Sequence, residues 1–126
     1  GQAVAEFLAS HPKIAYVNYC GLPGDKYHAV AEKYLPNGSC GVVSFGVKGG
    51  REAAAAFMGH LKLAAIETHV ADARTCCLHP ASSTHRQMND EQLIAAGVQP
   101  DLVRMSCGLE DKNDLIHDIA QALDQI

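Results

Sequence analysis

The sequence predicts an α+β fold, a small mixed or antiparallel sheet covered by helices on one face. Two observations carry this expectation. Segments with helical spacing interleave with short runs that suit a pleated sheet, and some strands follow one another through loops while others are separated by helices. The composition, 48% hydrophobic and 19% charged over 126 residues, is that of one domain long enough to build a single core.

The elements follow in order. Val4, Phe7 and Leu8 recur at helical spacing over residues 2–10. Ser10-His11-Pro12 ends that helix, because a proline restricts the residue before it and cannot continue the ladder. Ile14 to Tyr19 reads as a strand. Gly21-Leu22-Pro23-Gly24 is a loop, and Asp25 caps a helix over 26–35 that Pro36-Asn37-Gly38 terminates. Cys40 to Phe45 is the second strand. Gly46-Val47-Lys48-Gly49-Gly50 is a turn into an Ala-rich helix from Arg51 to about His60, alanine being the strongest helix former. That turn lacks the spacing and the Lys-Ser/Thr ending of a phosphate-binding loop.

The stretch from Leu63 to Ala73 shows no period of either kind. Thr75 to Leu78 reads as a strand stopped by Pro80. Asn89-Asp90-Glu91-Gln92 matches a capping box before a short helix, and Gly97 stands where a C-terminal capping glycine belongs. Leu102 to Cys107 is a strand. Glu110 and Asp111 open a last helix whose Leu115, Ile119 and Ala122 or Leu123 line one face, with acids at its start to suit the helix dipole.

Composition narrows the function. Lys+Arg is 10 and Asp+Glu is 14, a net charge of −4, and the basic residues form no cluster, which argues against a nucleic-acid partner. No apolar run approaches the roughly 20 residues of a membrane helix. The opening Gly1-Gln2-Ala3 has no leader pattern and no initiator Met, so a processed chain or a piece of a longer one is expected. Five cysteines, an odd number without small-scaffold spacing, suggest reduced thiols in a cytoplasmic protein. Cys76, Cys77, His79 and His85 lie close in sequence, but adjacent cysteines on a strand point to opposite faces, and neither Cys-x-x-Cys nor His-x-x-x-His occurs. No metal is expected. Nothing pairs a particular Cys with a particular His for nucleophilic catalysis. Asp72 and Arg74 are close enough in sequence to pair with each other.

Arg104 is the most informative residue. Alternation places Leu102, Arg104 and Ser106 on one face of their strand and Val103 and Met105 on the other. A guanidinium inside an apolar strand needs a partner, and a carboxylate matches its planar fork best. That carboxylate is either an internal Asp or Glu or a group from outside the chain.

Four stretches resemble one known family. Val17-Asn18-Tyr19-Cys20-Gly21-Leu22 with Tyr27-His28 is similar to the "V-x-Y-P-G-L…H" segment of the pyridoxal-phosphate enzymes of Cys/Met metabolism. Phe45 to Arg51 resembles their "F-x-x-x-G-G" stretch, and His79-Pro80-Ala81-Ser82-Ser83-Thr84-His85 resembles "H-P-A-S-T-T-H". Gly97-Val98 followed by Leu102 to Glu110 resembles the "G-[VI]-x-x-x-L-[IV]-R-[LM]-S-[VC]-G-[LI]-E" block. Order and spacing agree from near residue 4 to the last helix. The "H-P-A-S" and "K-G-G-R" details are similar to the O-acetylhomoserine sulfhydrylase branch.

The resemblance implies that residues 1–126 are a C-terminal substrate-closing domain, like that of fold-type I pyridoxal-phosphate transferases. The large domain holding the cofactor would then lie outside this chain. It implies a parent that replaces the γ-acetate of O-acetylhomoserine by sulfide, giving homocysteine, as a cytoplasmic homotetramer. None of the six lysines stands in the family's Schiff-base motif, so the chain alone is expected to be inactive. Arg104 falls on the arginine that holds the substrate α-carboxylate. Thr68 and His69 fall on a substrate-contacting loop, where relatives carry Asn or Ser at the position of His69 and Gly at that of Ala71. The other readings are a sibling γ-lyase acting on methionine or cystathionine, and a non-catalytic module that binds an amino acid or a partner protein. An exposed apolar face for the absent domain is also expected.

Overall fold

The structure, a computed structural model, describes residues 1–126. In chain order the elements are α1 (Gln2–Ser10), β1 (Ile14–Asn18), α2 (His28–Tyr34), β2 (Val42–Val47), α3 (Gly50–His60), β3 (Ala65–Ile66), β4 (Cys76–Leu78), α4 (Asp90–Ala95), β5 (Leu102–Ser106) and α5 (Lys112–Asp124). A 3₁₀ turn over Pro80–Ser82 follows β4. The five strands form one sheet in the order β1-β2-β5-β4-β3. All pairs are antiparallel except β3 with β4. The sheet is mixed and helix-covered, as the alternation and helical spacing imply.

Helices α1, α3 and α5 lie together against one face. Their apolar stripes meet the inward residues of the strands in a single cluster of 19 buried residues. Phe45 of β2 and Phe57 of α3 sit at its centre, edge to face, with ring centroids 5.7 Å apart. Val103 and Met105 point into this core, so alternation turns Arg104 to the opposite, uncovered face.

The buried carboxylate of Asp118 on α5 fixes the path from α3 to β3. It accepts the backbone N–H groups of Lys62 at 2.8 Å and of Leu63 and Ala64 at 2.9 Å. Burial pushes this carboxyl up, but the three N–H bonds, helped by Gln121, outweigh it and hold it below the ordinary carboxylate value.

Several boundaries differ from those expected. Helix α2 begins at His28 and not at residue 26, because Asp25 closes a turn instead of capping the helix. Its carboxylate takes the N–H of Tyr27 at 2.9 Å and that of Tyr19 at 3.2 Å. Strand β2 starts two residues late, since the Cys40 carbonyl is taken by the Tyr19 hydroxyl at 2.7 Å. The stretch without a period holds the two-residue β3 and then an irregular loop, residues 67–75. The capping box of α4 forms on Asn89 and Gln92, and Gly97 takes the left-handed conformation with φ 82°.

Candidate functional site

Arg104 lies on the central strand, opposite Ser44 of β2 and Leu78 of β4. Its half-buried side chain reaches over the sheet, and Nη2 donates to the Thr68 carbonyl at 2.7 Å. No carboxylate of the chain pairs with it. The ion pairs present are His28–Glu32, Arg51–Asp90 and His69–Asp72. An internal salt bridge is therefore not the answer to the partner question. The guanidinium is oriented by one carbonyl, and its other donors are open to an anion from outside.

The loop over 67–75 stands beside it. Thr68, His69, Val70 and Ala71 are exposed. His69 Nδ1 is 3.6 Å from Asp72 Oδ2, an electrostatic contact and not a hydrogen bond. The expected pairing of Asp72 with the Arg74 side chain does not occur; Asp72 instead accepts the Arg74 backbone N–H at 2.9 Å. That bond, with the His69 and Arg74 charges adding to it, holds the Asp72 carboxyl below its ordinary value. Thr68 contributes its carbonyl to Arg104. Thus the structure joins Thr68 to Arg104, while His69, the next residue of the loop, meets Asp72.

Ala71 is the one non-glycine residue with positive φ, 58°. Its N–H donates to the buried Ser106 Oγ at 2.9 Å. Further along, Leu109 N–H donates to the Ala73 carbonyl at 2.9 Å. Glu110 accepts both the N–H and the hydroxyl of Thr75, each at 2.7 Å. Burial pushes the Glu110 carboxyl up, but the Thr75 bonds outweigh this and leave it below its ordinary value. Gly108 allows the approach, since a Cβ there would stand 2.6 Å from the Thr75 nitrogen. Ser106 shares the Arg104 face by alternation, which was a usable signal. Glu110 was read only as a helix-dipole acid, and the bond it makes spans 35 residues of chain.

Two other motifs are brackets around this site. His79 is buried, with Nε2 donating to the Pro100 carbonyl and Nδ1 accepting from Ser82 Oγ, each at 2.8 Å. Burial pushes its pKa down, so it stays neutral. Arg51 donates to the carbonyls of Ala81 at 2.6 Å and Met88 at 3.1 Å and pairs with Asp90. The "H-P-A-S" and "K-G-G-R" segments thereby hold each other, and with them the strands on either side. None of the six lysines bonds to Arg104 or to the loop; Lys13, for one, is taken by the carbonyls of Leu123 and Ile126.

Comparison with known proteins places the chain among named relatives. The chain is 46% identical over 124 residues to an O-acetyl-L-homoserine sulfhydrylase of Leptospira meyeri, covering 98% of this chain and 28% of that protein. It is 45% identical over 122 residues to a homocysteine synthase of Schizosaccharomyces pombe, covering 97% of this chain and 28% of that one. A crystal structure bearing the provisional name O-acetylhomoserine (thiol)-lyase, from Campylobacter jejuni, superposes with a TM-score of 0.86 at 38% identity. It contains a pyridoxyl-lysine, and the match covers 96% of this chain and 29% of that one. The chain thus spans about 28% of the length of these curated relatives. The profile of the Cys/Met metabolism PLP-dependent enzymes matches residues 1–124, so the chain belongs to that family.

Proposed function

We propose that residues 1–126 form the substrate-closing domain of an O-acetylhomoserine sulfhydrylase, and that Arg104 holds the substrate α-carboxylate. The observation that carries this reading is a guanidinium on an open sheet face with no carboxylate partner, oriented by the Thr68 carbonyl. The parent reaction replaces the γ-acetate of O-acetylhomoserine by sulfide and yields homocysteine. The 46% and 45% identities to a sulfhydrylase and a homocysteine synthase support that choice within the family. We read the parent as a cytoplasmic homotetramer; no helix of this chain is long and apolar enough to cross a membrane.

The family depends on pyridoxal phosphate. The residues of this chain do not make a holding site for it, because none of its lysine side chains bonds to Arg104 or to loop 67–75. The cofactor and its lysine therefore belong to the large domain of the parent. The contribution of this chain is binding and orientation. Arg104 offers parallel N–H donors to a planar carboxylate, which fixes two points of the amino acid and so the direction of its remaining bonds. We assign to His69, the exposed residue after Thr68 on the same loop and 3.6 Å from Asp72, the contact with the side chain of the bound amino acid.

The test uses the full-length parent supplied with pyridoxal phosphate, O-acetylhomoserine and sulfide. Arg104→Ala is expected to lower kcat/KM by about 100-fold or more, the order expected when a charged partner is removed, with cofactor absorbance kept. A wild-type rate in that variant removes the carboxylate role. Turnover of methionine or cystathionine in place of O-acetylhomoserine makes the parent a sibling γ-lyase.

A further inference from the structure

Arg104 has a long side chain, and one bond, to the Thr68 carbonyl, sets its direction. That carbonyl belongs to a loop tied to the sheet only at its two ends, where Glu67 N–H donates to the Cys77 carbonyl at 3.1 Å and the Thr75 carbonyl accepts from Ala65 N–H at 2.9 Å. Its further bonds come from the same strand that carries Arg104, together with the turn after it. Ser106 takes the Ala71 N–H, Leu109 takes the Ala73 carbonyl, and Glu110 takes Thr75 twice.

Two features separate Ser106 and Glu110 from ordinary structural polar residues. Ser106 is 2% exposed, and its hydroxyl meets the N–H of the one residue held in a left-handed conformation without being glycine. Such a conformation costs an L-residue about 1–2 kcal/mol and persists only where its surroundings hold it. Glu110 precedes the cap of α5, and the cap itself is Asp111, which accepts the N–H groups of Asn113 and Asp114. Glu110 is therefore free of the helix and turned to the loop.

We propose that Ser106 and Glu110 are positioning residues that fasten loop 67–75, and thereby aim Arg104 at the substrate carboxylate. This rests on the reading of Arg104 given above. Neither residue touches substrate; each acts through Thr68 and Arg104.

The experiment uses the full-length holoenzyme with Ser106→Ala and Glu110→Gln, and Thr75→Ser as the control that keeps the hydroxyl. Glutamine removes the carboxylate charge and one acceptor oxygen, so the two charge-assisted bonds from Thr75 are weakened. A net hydrogen bond of about 1.4 kcal/mol corresponds to about a tenfold change in binding. Both variants are expected to raise KM for the amino acid about tenfold, with kcat within about threefold. The inhibition constant for 2-aminobutyrate, which keeps the α-carboxylate, should rise by a similar factor, while that for propylamine, which lacks it, should stay unchanged. Amide hydrogen exchange should quicken in 67–75 and not in α5. Thr75→Ser, which keeps the hydroxyl that Glu110 accepts, should raise KM less than Glu110→Gln does. Unchanged exchange in the loop, an unchanged KM in both variants, or an equal loss for propylamine overturns the proposal. A wild-type parent inactive on O-acetylhomoserine overturns the underlying reading instead. KM is then followed for the amino acid that the parent accepts, and the exchange result still reports on the fastening.

Discussion

Ala71 shows how one residue can carry a cost for its surroundings. Its φ of 58° places a methyl group where glycine would be free of strain. Ala71→Gly removes that strain but adds freedom to the unfolded chain, and the two effects oppose each other. The left-handed penalty is the larger, so the substitution should stabilise the protein by about 0.5–1 kcal/mol, read as a raised midpoint in urea. A lowered midpoint would show that the Ser106 bond depends on the methyl group. Asp118 makes the opposite case. Asp118→Ala leaves three N–H groups without their acceptor, that of buried Ala64 among them, and a loss of about 2 kcal/mol is expected in denaturant unfolding. The pH dependence follows from the sign of the shift. The folded-state pKa of Asp118 is depressed, so its contribution is present above its unfolded value, near 4, and fades as pH falls through the lower folded one. The wild type should lose stability below about pH 4 more steeply than Asp118→Ala in matched urea titrations.

Among the elements, legibility tracks length and period. Helices α3 and α5 and strand β5 have enough repeats to show their spacing, and the capping box of α4 is a local signal that formed as read. The face of Arg104 was legible for the same reason, since two-residue alternation needs nothing distant. Strand β3 has two residues, too few for any period, and is defined by its parallel pairing with β4. The start of α2 was misjudged because Asp25 was already engaged by Tyr19, six residues away. Loop 67–75 was legible only by resemblance; its fastenings come from residues some 35 positions later, and no local pattern announces them. One glycine gives a sharp check at this scale. A Cβ on Gly46 would collide with the Tyr16 ring and stand 2.8 Å from Asp101 Oδ2. Gly46→Ala should therefore displace Tyr16 from Asp101, which its hydroxyl now meets at 3.2 Å, and destabilise the β1–β2 pair by about 1–3 kcal/mol. An unchanged unfolding midpoint would show that the ring can move aside freely.

At the scale of the molecule, the helices close one side of the sheet and leave the other to the site. Apolar surface remains as well. Tyr27, Val30, Tyr34 and Leu35 are exposed and, with Cys20 and Ala31, line a groove of about 210 Å³ on α2. The order of the strands has a consequence for synthesis. The sheet runs β1-β2-β5-β4-β3, so its middle strand is the last to be made. Until residue 106 has left the ribosome, β1–β2 and β3–β4 are two separate ribbons with no shared edge, and each is too small to stand alone in water. A nascent chain stopped before β5 thus lacks the strand that pairs with Val43 and Phe45 of β2. The sheet should consequently complete only once β5 has emerged, and chains ended by a premature stop ahead of Leu102 should be degraded rather than persist as partial versions of the fold, as a pulse-chase would show.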